Sequence, residues 1–272
     1  MMAIGQKTFK PKTQSRCIFC SGKNLTKQHI LPQWLGREFK DLDESHTIET
    51  TELEFKNATA ILTSKIRTFN GPYGSRKIKN VCGYCNGGWM SRLETRCKPI
   101  IISLLNNDWL TLDAKSCRDL SAWIMMTTIM QEYTQIASKA ITPEDRGYLK
   151  ENLEPSATWE IWIARSQVIN RGQKIIHAGV AVIDVEDIRE WSSKEIGANT
   201  QSTIIWLQRV VFYARSKHSS EIQLGTLPLI NEKFCKIWPL AEGAEIILDK
   251  DDMSLHEIQS IVEWFMETKE GY

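Results

Sequence analysis

The chain has 272 residues, 42% of them hydrophobic, and a formal net charge of +1 at pH 7. This is enough for one large domain or two ordinary ones with a real core. The most apolar stretch, residues 120–130, is about half of the ~20 residues that a membrane span requires, and the N-terminus lacks the apolar run of a secretory signal. We therefore expect a soluble, cytoplasmic protein with no membrane partner, whose seven cysteines do not form a disulfide framework.

Charge is distributed unevenly along the chain. Residues 1–100 contain 17 Lys and Arg against 8 Asp and Glu, whereas residues 101–272 contain 17 against 25. A basic first part and an acidic second part suggest two domains with different partners. Positive charge over the first part fits a polyanion, because neutralising phosphates releases counterions. An ordinary solvated surface accounts for the charge equally well.

The first part of the chain predicts a small module over residues 16–105. Residues 1–15 show no periodicity and are expected to form a flexible arm. The segment LTKQHILPQWL predicts a strand that ends at Pro32. Residues 36–75 are polar and Thr-rich, and we predict an insertion or a long irregular excursion there, with GPYG at 71–74 as a turn.

The elements that follow change from helical to β-rich. Residues 75–81 predict a short basic strand, and a helix is expected to start near Asn86, with Pro99 breaking or restarting it. Apolar residues at helical spacing continue to about residue 152. From residue 158 the segments are aromatic and β-branched, including IQLGTLPLI, and predict strands, whereas LHEIQSIVEWFMETK predicts a closing amphipathic helix. The predicted class is α+β, with a helical and mostly antiparallel β domain over 106–272.

Two C-x2-C pairs stand far apart in the chain, Cys17 with Cys20 and Cys82 with Cys85. Each such turn supplies two thiolates from one knuckle, and structural zinc prefers four thiolates in a tetrahedron. The spacing therefore predicts a zinc site that joins two distant segments. Four unrelated buried cysteines, or a redox C-x-x-C pair, are the alternatives. The remaining cysteines, Cys97, Cys117 and Cys235, are expected to be small apolar residues of the core.

Further motifs lie beside the cysteine pairs. QHILP, with Gln28 and His29, stands between the pairs, and Asn86 directly follows the second pair. In the order CIFC, QHILP and VCGYCN, the chain resembles the HNH endonucleases, whose site is the ββα-metal fold. That family places a zinc-binding C-x2-C ahead of an acid-His-Ile-x-Pro strand, and its second C-x2-C is followed by His or Asn at a helix start. The flank GWMSRLE also looks like bacterial members, and the resemblance covers roughly residues 15–97.

The resemblance implies a zinc-stapled ββα-metal module as the N-terminal fold. His29 aligns with the general base of the family, and Gln28 and Asn86 align with the ligands of a catalytic divalent cation, Mg²⁺ or Mn²⁺. Asn80 is a candidate for the asparagine that orients the His29 ring. The basic side chains expected to contact nucleic-acid phosphates are Lys27, Arg76, Lys77, Lys79 and Arg92.

The chemistry of phosphodiester hydrolysis also requires residues of these types. Phosphodiester hydrolysis needs an activated water and a cation that neutralises charge on the phosphate. A histidine can accept the proton of that water near neutral pH, and a hard cation accepts oxygen ligands. The alternative for His29 is a half-buried histidine with a structural role only.

Gln28 departs from the family pattern, which usually has Asp, Glu or His at that position. Since Gln28 and Asn86 are both neutral, they bring no formal charge to the cation, and the departure favours Mn²⁺ or another softer ion. Glu94 lies eight residues after Asn86, a rise of ~12 Å on a straight helix. We therefore expect Glu94 to pair with a basic neighbour such as Lys98 at i+4, and it is only a secondary candidate for the cation.

The sequence and the resemblance thus predict a metal-dependent HNH-type endonuclease that hydrolyses nucleic acid, with double-stranded DNA favoured over RNA, and the resemblance suggests a setting in bacterial or phage defence. The alternative is a catalytically weak or inactive zinc module that binds nucleic acid or a protein. The C-terminal domain is expected to position DNA, to form a homodimer or to bind a protein partner.

Overall fold

The computed structural model describes most of the chain. The described residues are 15–38, 45–56, 59–70, 75–108, 111–134, 139–180, 198–219, 221–222, 224–241 and 243–267. In the strands over 45–70 the backbone is described and the side chains are not. Residues 1–14 of the predicted arm and the predicted turn at 71–74 lie outside the described residues.

The fold mixes helices with mainly antiparallel strands, so the predicted α+β class is confirmed. The strands are β1 (Leu25–His29), β2 (Ser45–Lys56), β3 (Thr59–Asn70), β4 (Lys77–Cys82), β5 (Thr111–Leu112), β6 (Trp159–Val180), β7 (Thr200–Lys217), β8 (Cys235–Trp238) and β9 (Ile246–Ile247). The helices are α1 (Gln33–Glu38), α2 (Gly83–Cys85), α3 (Ser91–Leu105), α4 (Ala114–Glu132), α5 (Pro143–Asn152), α6 (Pro228–Lys233) and α7 (Leu255–Glu267), with a π-helical turn, Asn86–Met90, between α2 and α3.

The described strands form one large sheet and two sheets of two strands each. β1 pairs antiparallel with β4, which brings the segment of the first cysteine pair beside that of the second. The large sheet has the order β3-β2-β6-β7, with β8 paired to β6, and a third sheet joins β5 and β9. β2 and β3 form a hairpin of 12 paired residues on each side, and β2 runs parallel to β6.

The hairpin β2–β3 corrects the prediction of an irregular excursion over 36–75. Both strands are rich in Thr and other β-branched residues, which fit a pleated surface. The pairing of β2 with β6, through Ile48 opposite Ile175, joins residues more than a hundred positions apart. The inserted segment is thus part of the large sheet of the C-terminal half.

The apolar core is continuous across the predicted boundary near residue 105. Leu93 of α3, Trp123 of α4 and Phe212 of β7 are fully buried members of one cluster. α3 is also held to α4 by Arg96, which contacts the buried Asp119 carboxylate at 2.9 Å. Because α3 leads directly out of the cysteine-rich segment, these contacts attach that segment to the rest of the protein. The predicted division into 16–105 and 106–272 stays a prediction.

Two predictions about individual elements were wrong. Pro99 does not break the helix, because α3 continues through it to Leu105. The ring of Pro99 is exposed, and the buried side of the same helix packs Ile101 and Leu104 into the core, which stabilises the helix despite one missing backbone donor. The segment IQLGTLPLI forms no strand within its described residues; its end begins α6 at Pro228, a residue suited to the first turn of a helix.

A buried carboxyl group lies at the end of α4. Glu132 is fully buried, and its Oε1 accepts hydrogen bonds from the backbone N–H groups of Ala140 at 2.6 Å and Ile141 at 2.9 Å. The Nε2 atom of His177 lies 3.9 Å from the same oxygen. Burial raises the pKa of Glu132 to about 7, although the two N–H groups and the charges of Arg146 and Lys139 act in the opposite direction.

Replacing Glu132 with glutamine is expected to stabilise the protein above pH 7. The carboxyl pKa is about 7 in the folded chain against an ordinary 4.5, so the folded state binds more protons between these values and stability falls as pH rises through them. The full effect is up to about 3 kcal/mol. Glutamine keeps the acceptor oxygen without the charge, so thermal unfolding of Glu132→Gln should lose this pH dependence. Glu263→Gln, on the exposed side of α7, should retain it.

Candidate metal centre and adjoining site

The two C-x2-C pairs meet in the fold. The Sγ atoms of Cys17, Cys20, Cys82 and Cys85 all lie within 4.8 Å of one another, and those of Cys20 and Cys82 are 3.5 Å apart. A tetrahedron with zinc–sulfur bonds of about 2.3 Å has edges of about 3.8 Å, so the donor set fits zinc in number, type and spacing. The predicted four-cysteine cluster is confirmed as a group that can hold a metal ion. It is the only group of three or more His, Cys, Asp or Glu side chains found at such spacing in the described chain.

The first knuckle is built by a tight turn. Cys17 N–H donates to Gly22 O at 2.8 Å, and Ser21 N–H donates to Cys17 O at 2.9 Å, with Ser21 in the left-handed region at φ 56°. A Cβ atom at Gly22 would lie 3.1 Å from the sulfur of Cys20, so glycine allows the backbone to approach the cluster. Phe19, within the turn, packs edge-on against Trp89 at a centroid distance of 5.0 Å.

The second knuckle is a helix start. Cys82 is the N-cap of α2, and its sulfur accepts a hydrogen bond from the N–H of Cys85 at 3.5 Å. Burial opposes ionisation of Cys82, but this N–H and the neighbouring cysteines lower its thiol pKa to about 7. The helical segment therefore begins at Gly83, whereas the sequence predicted a start near Asn86. Asn86 N–H already donates to Gly83 O within the helix.

Asn86 is held against β1 by its side chain. Its Nδ2 donates to Thr26 Oγ1 at 3.1 Å, and Thr26 Oγ1 in turn donates to Val81 O at 3.2 Å. Because the nitrogen of the amide is engaged, the oxygen is the atom that remains available as a ligand. Asn86 also begins the π-helical turn, in which Gly88 departs from helical geometry at φ −97° and ψ −110°. This interruption bends the path of the helix between Asn86 and α3.

Gln28 lies two residues after Thr26 on β1 and is buried. Its Nε2 donates to Glu94 Oε1 of α3 at 3.3 Å. The prediction that Glu94 pairs with Lys98 was wrong, because Lys98 pairs with Glu38 of α1 at 3.1 Å. Burial raises the pKa of the Glu94 carboxyl to about 7, while the hydrogen bond from Gln28 acts in the opposite direction. Glu94 therefore lies beside Gln28 in the candidate site, closer than the rise of a straight helix predicts.

His29 is the last residue of β1 and is half-buried. Burial lowers the pKa of its imidazole, and the charge of Lys77, opposite it on β4, lowers it further. The ring is thus neutral at pH 7 and able to accept a proton. Within the described residues, no hydrogen bond joins His29 to Asn80, whose backbone oxygen accepts from Ile18 N–H at 3.0 Å. The orienting role of Asn80 stays a prediction.

The predicted phosphate-contacting residues lie on or next to the elements that carry this site. β4 has a bulge relative to β1 between the pairs Thr26–Val81 and Gln28–Ile78. The exposed members of the set are Lys27 of β1, Lys77 and Lys79 of β4, and Arg92 of α3, and Arg76, directly before β4, is half-exposed. These residues belong to the strands and the helix that form the candidate site, so the surface beside His29 is basic.

Comparisons with known proteins do not assign this site to a class. No family model, no curated protein and no solved structure matches this chain. No described helix combines the length and apolar character that crossing a membrane would require.

Proposed function

We propose that this chain is a metal-dependent HNH-type endonuclease that hydrolyses phosphodiester bonds of nucleic acid, with DNA preferred over RNA. The observation that carries the proposal is the meeting of three elements. β1 ends at the half-buried His29, β4 pairs with β1, and the helical segment that bears Asn86 is joined to both through the four-cysteine cluster. In this proposal the cluster holds a structural zinc ion that fixes the strand against the helix.

The proposed reaction assigns one step to each group. A neutral imidazole at His29 takes a proton from the attacking water, whose oxygen forms a bond to phosphorus as the bond to the leaving oxygen breaks. A divalent cation bound by the oxygens of Gln28 and Asn86 would supply charge neutralisation at the phosphate. Solvent returns a proton to the leaving oxygen. The lowered pKa of His29 suits this role, because the base must be unprotonated before the reaction.

The substrate is proposed from charge. Lys27, Lys77 and Lys79 are exposed on the two strands of the site, and none forms an ion pair within the described residues. Such lysines can neutralise the phosphates on either side of the scissile bond. The large C-terminal half is proposed to position double-stranded DNA or to bind a protein, including a second copy of the chain.

One observation favours the alternative of a module that binds nucleic acid without cleaving it. Both amides aligned with cation ligands, Gln28 and Asn86, are neutral. Without a carboxylate, Mg²⁺ would be held weakly, because hard divalent cations prefer charged oxygen ligands. Binding through the lysines and the zinc-fixed fold does not require that cation.

Plasmid cleavage by the full chain tests the proposal. Supercoiled DNA, linear DNA and RNA are incubated with the zinc-loaded protein and Mg²⁺, Mn²⁺ or Ni²⁺, with a metal-free reaction as the control. We expect cation-dependent nicking or linearisation of DNA, with Mn²⁺ more effective than Mg²⁺. Binding of DNA without cleavage under any cation would support the alternative. Absence of both binding and cleavage at low salt would favour a protein-interaction module.

A further inference from the structure

We propose that Glu94 is a third ligand of the catalytic cation and supplies the negative charge that Gln28 and Asn86 lack. This inference rests on the proposed nuclease function for its cation, but its evidence is the placement of Glu94 itself. Glu94 is on α3, eight residues after Asn86, and lies far in sequence from Gln28, the strand position at which the resembling family carries its acid, although the two side chains are in contact.

The first observation is that no cationic side chain among the described residues pairs with Glu94. Its side chain is partly buried, and within the described residues its one hydrogen-bond partner is Gln28. Arg92, two residues before Glu94 on α3, is exposed and forms no ion pair with it within the described residues, and the next two basic residues of the helix are engaged elsewhere. Arg96 pairs with Asp119 at 2.9 Å, and Lys98 pairs with Glu38 at 3.1 Å. A partly buried carboxylate without a counter-ion is costly, and a bound cation would remove that cost.

The second observation is that Glu94 and Asn86 contact the same short stretch of β1. Asn86 bonds to Thr26 and Glu94 bonds to Gln28, and these strand residues are two positions apart. Residues i and i+2 of a strand share a face and lie about 7 Å apart. The bend at Gly88 explains how residues eight positions apart along a helical segment both reach that face.

The third observation concerns the side-chain oxygens of Asn86, Gln28 and Glu94 that are left for a cation. The nitrogens of Asn86 and Gln28 are used in hydrogen bonds to Thr26 and Glu94, so each amide keeps its oxygen for a cation. Glu94 Oε1 accepts from Gln28, and Oε2 remains. The set then consists of three oxygens with one negative charge. This is the chemistry that Mg²⁺ and Mn²⁺ accept, with the other coordination positions left for water and phosphate.

Mn²⁺ binding in the absence of nucleic acid tests the proposal without reference to activity. The zinc-loaded full chain is titrated with Mn²⁺ and followed by electron paramagnetic resonance. We expect Glu94→Gln to weaken Mn²⁺ binding by about 10-fold to 100-fold. Glu94→Asp, which keeps the charge, should lose less. Glu38→Gln removes a carboxylate from the same part of the chain, where it faces Lys98, and should bind Mn²⁺ as the parent does.

The outcomes separate this proposal from the proposed function. If Glu94→Gln contains zinc like the parent and binds Mn²⁺ equally well, Glu94 is not a ligand, whether or not the parent cleaves DNA. Failure of the parent itself to bind Mn²⁺ would also overturn the assignment. Loss of Mn²⁺ affinity in Glu94→Gln, with no cleavage by the parent, would support the cation site and defeat the nuclease. Zinc content and circular dichroism establish that each variant is folded, and Glu94→Asp tests the charge if glutamine is not tolerated.

Discussion

Replacing Cys85 with serine is expected to abolish metal binding by the four-cysteine cluster and to unfold the cysteine-rich segment. Cys85 is fully buried and is one of the four sulfurs that lie within 4.8 Å of one another. Zinc in such sites contributes about 10–16 kcal/mol to folding in small zinc domains, so loss of one thiolate removes a large part of the stability of this segment. Metal content should fall from about one zinc per chain to well below one, and the thermal unfolding temperature should fall with it.

Cys97→Ser is the matched control for the loss of a buried thiol. Cys97 is equally buried and lies outside the cluster, and its sulfur donates to Asp119 O at 3.1 Å, a hydrogen bond that serine can also donate. This variant should keep its zinc. Equal zinc content in Cys85→Ser and the parent would contradict the four-thiolate site. A strong chelator should reproduce the effect of Cys85→Ser in the parent, because the folded cluster and the metal stabilise each other.

The four-cysteine cluster could be predicted from the sequence because each C-x2-C pair is a local motif. Each C-x2-C pair fixes two ligands in one turn, and the requirement for four ligands joins the two turns whatever lies between them. The strand at Leu25–His29 and the basic strand that ends at Cys82 were also predicted, because each is encoded in the short segment beside a cysteine pair. The hairpin β2–β3 was not predicted, although its two strands pair locally over 12 residues, and its attachment to β6 is a non-local pairing that residues 36–75 alone do not indicate.

The contact of Glu94 with Gln28 was not predicted, because the predicted distance was that of one straight helix from Asn86 onward. The chain places a π-helical turn at Asn86–Met90, and Gly88 within it interrupts the helical geometry. The Gly87–Gly88 pair was visible in the sequence and could have indicated a bend, since glycine weakens a helix interior. The start of the helix was missed for a related reason. A cysteine is not a usual N-cap, yet the sulfur of Cys82 accepts a backbone hydrogen bond in the cluster.

Replacing His29 with alanine is expected to lower DNA cleavage by about 10²-fold to 10⁴-fold, the usual contribution of a positioned general base. The zinc content and the Mn²⁺ affinity of His29→Ala should match the parent, because His29 is neither a member of the cysteine cluster nor among the proposed cation ligands. DNA binding at low salt should also persist, since the basic side chains of β1 and β4 remain. The loss should therefore appear in the rate of the bond-breaking step and not in binding.

The pH profile distinguishes a base from a residue that only supports the fold. Burial and Lys77 hold the pKa of His29 below its usual value, so the parent rate should be level at neutral pH and fall as the ring becomes protonated in acid. In His29→Ala the residual rate should lose this acid limb. His256→Ala, an exposed histidine of α7, is the matched control and should keep both the rate and the profile. If His29→Ala cleaves DNA at the parent rate, water is activated by another group and the general-base assignment is wrong.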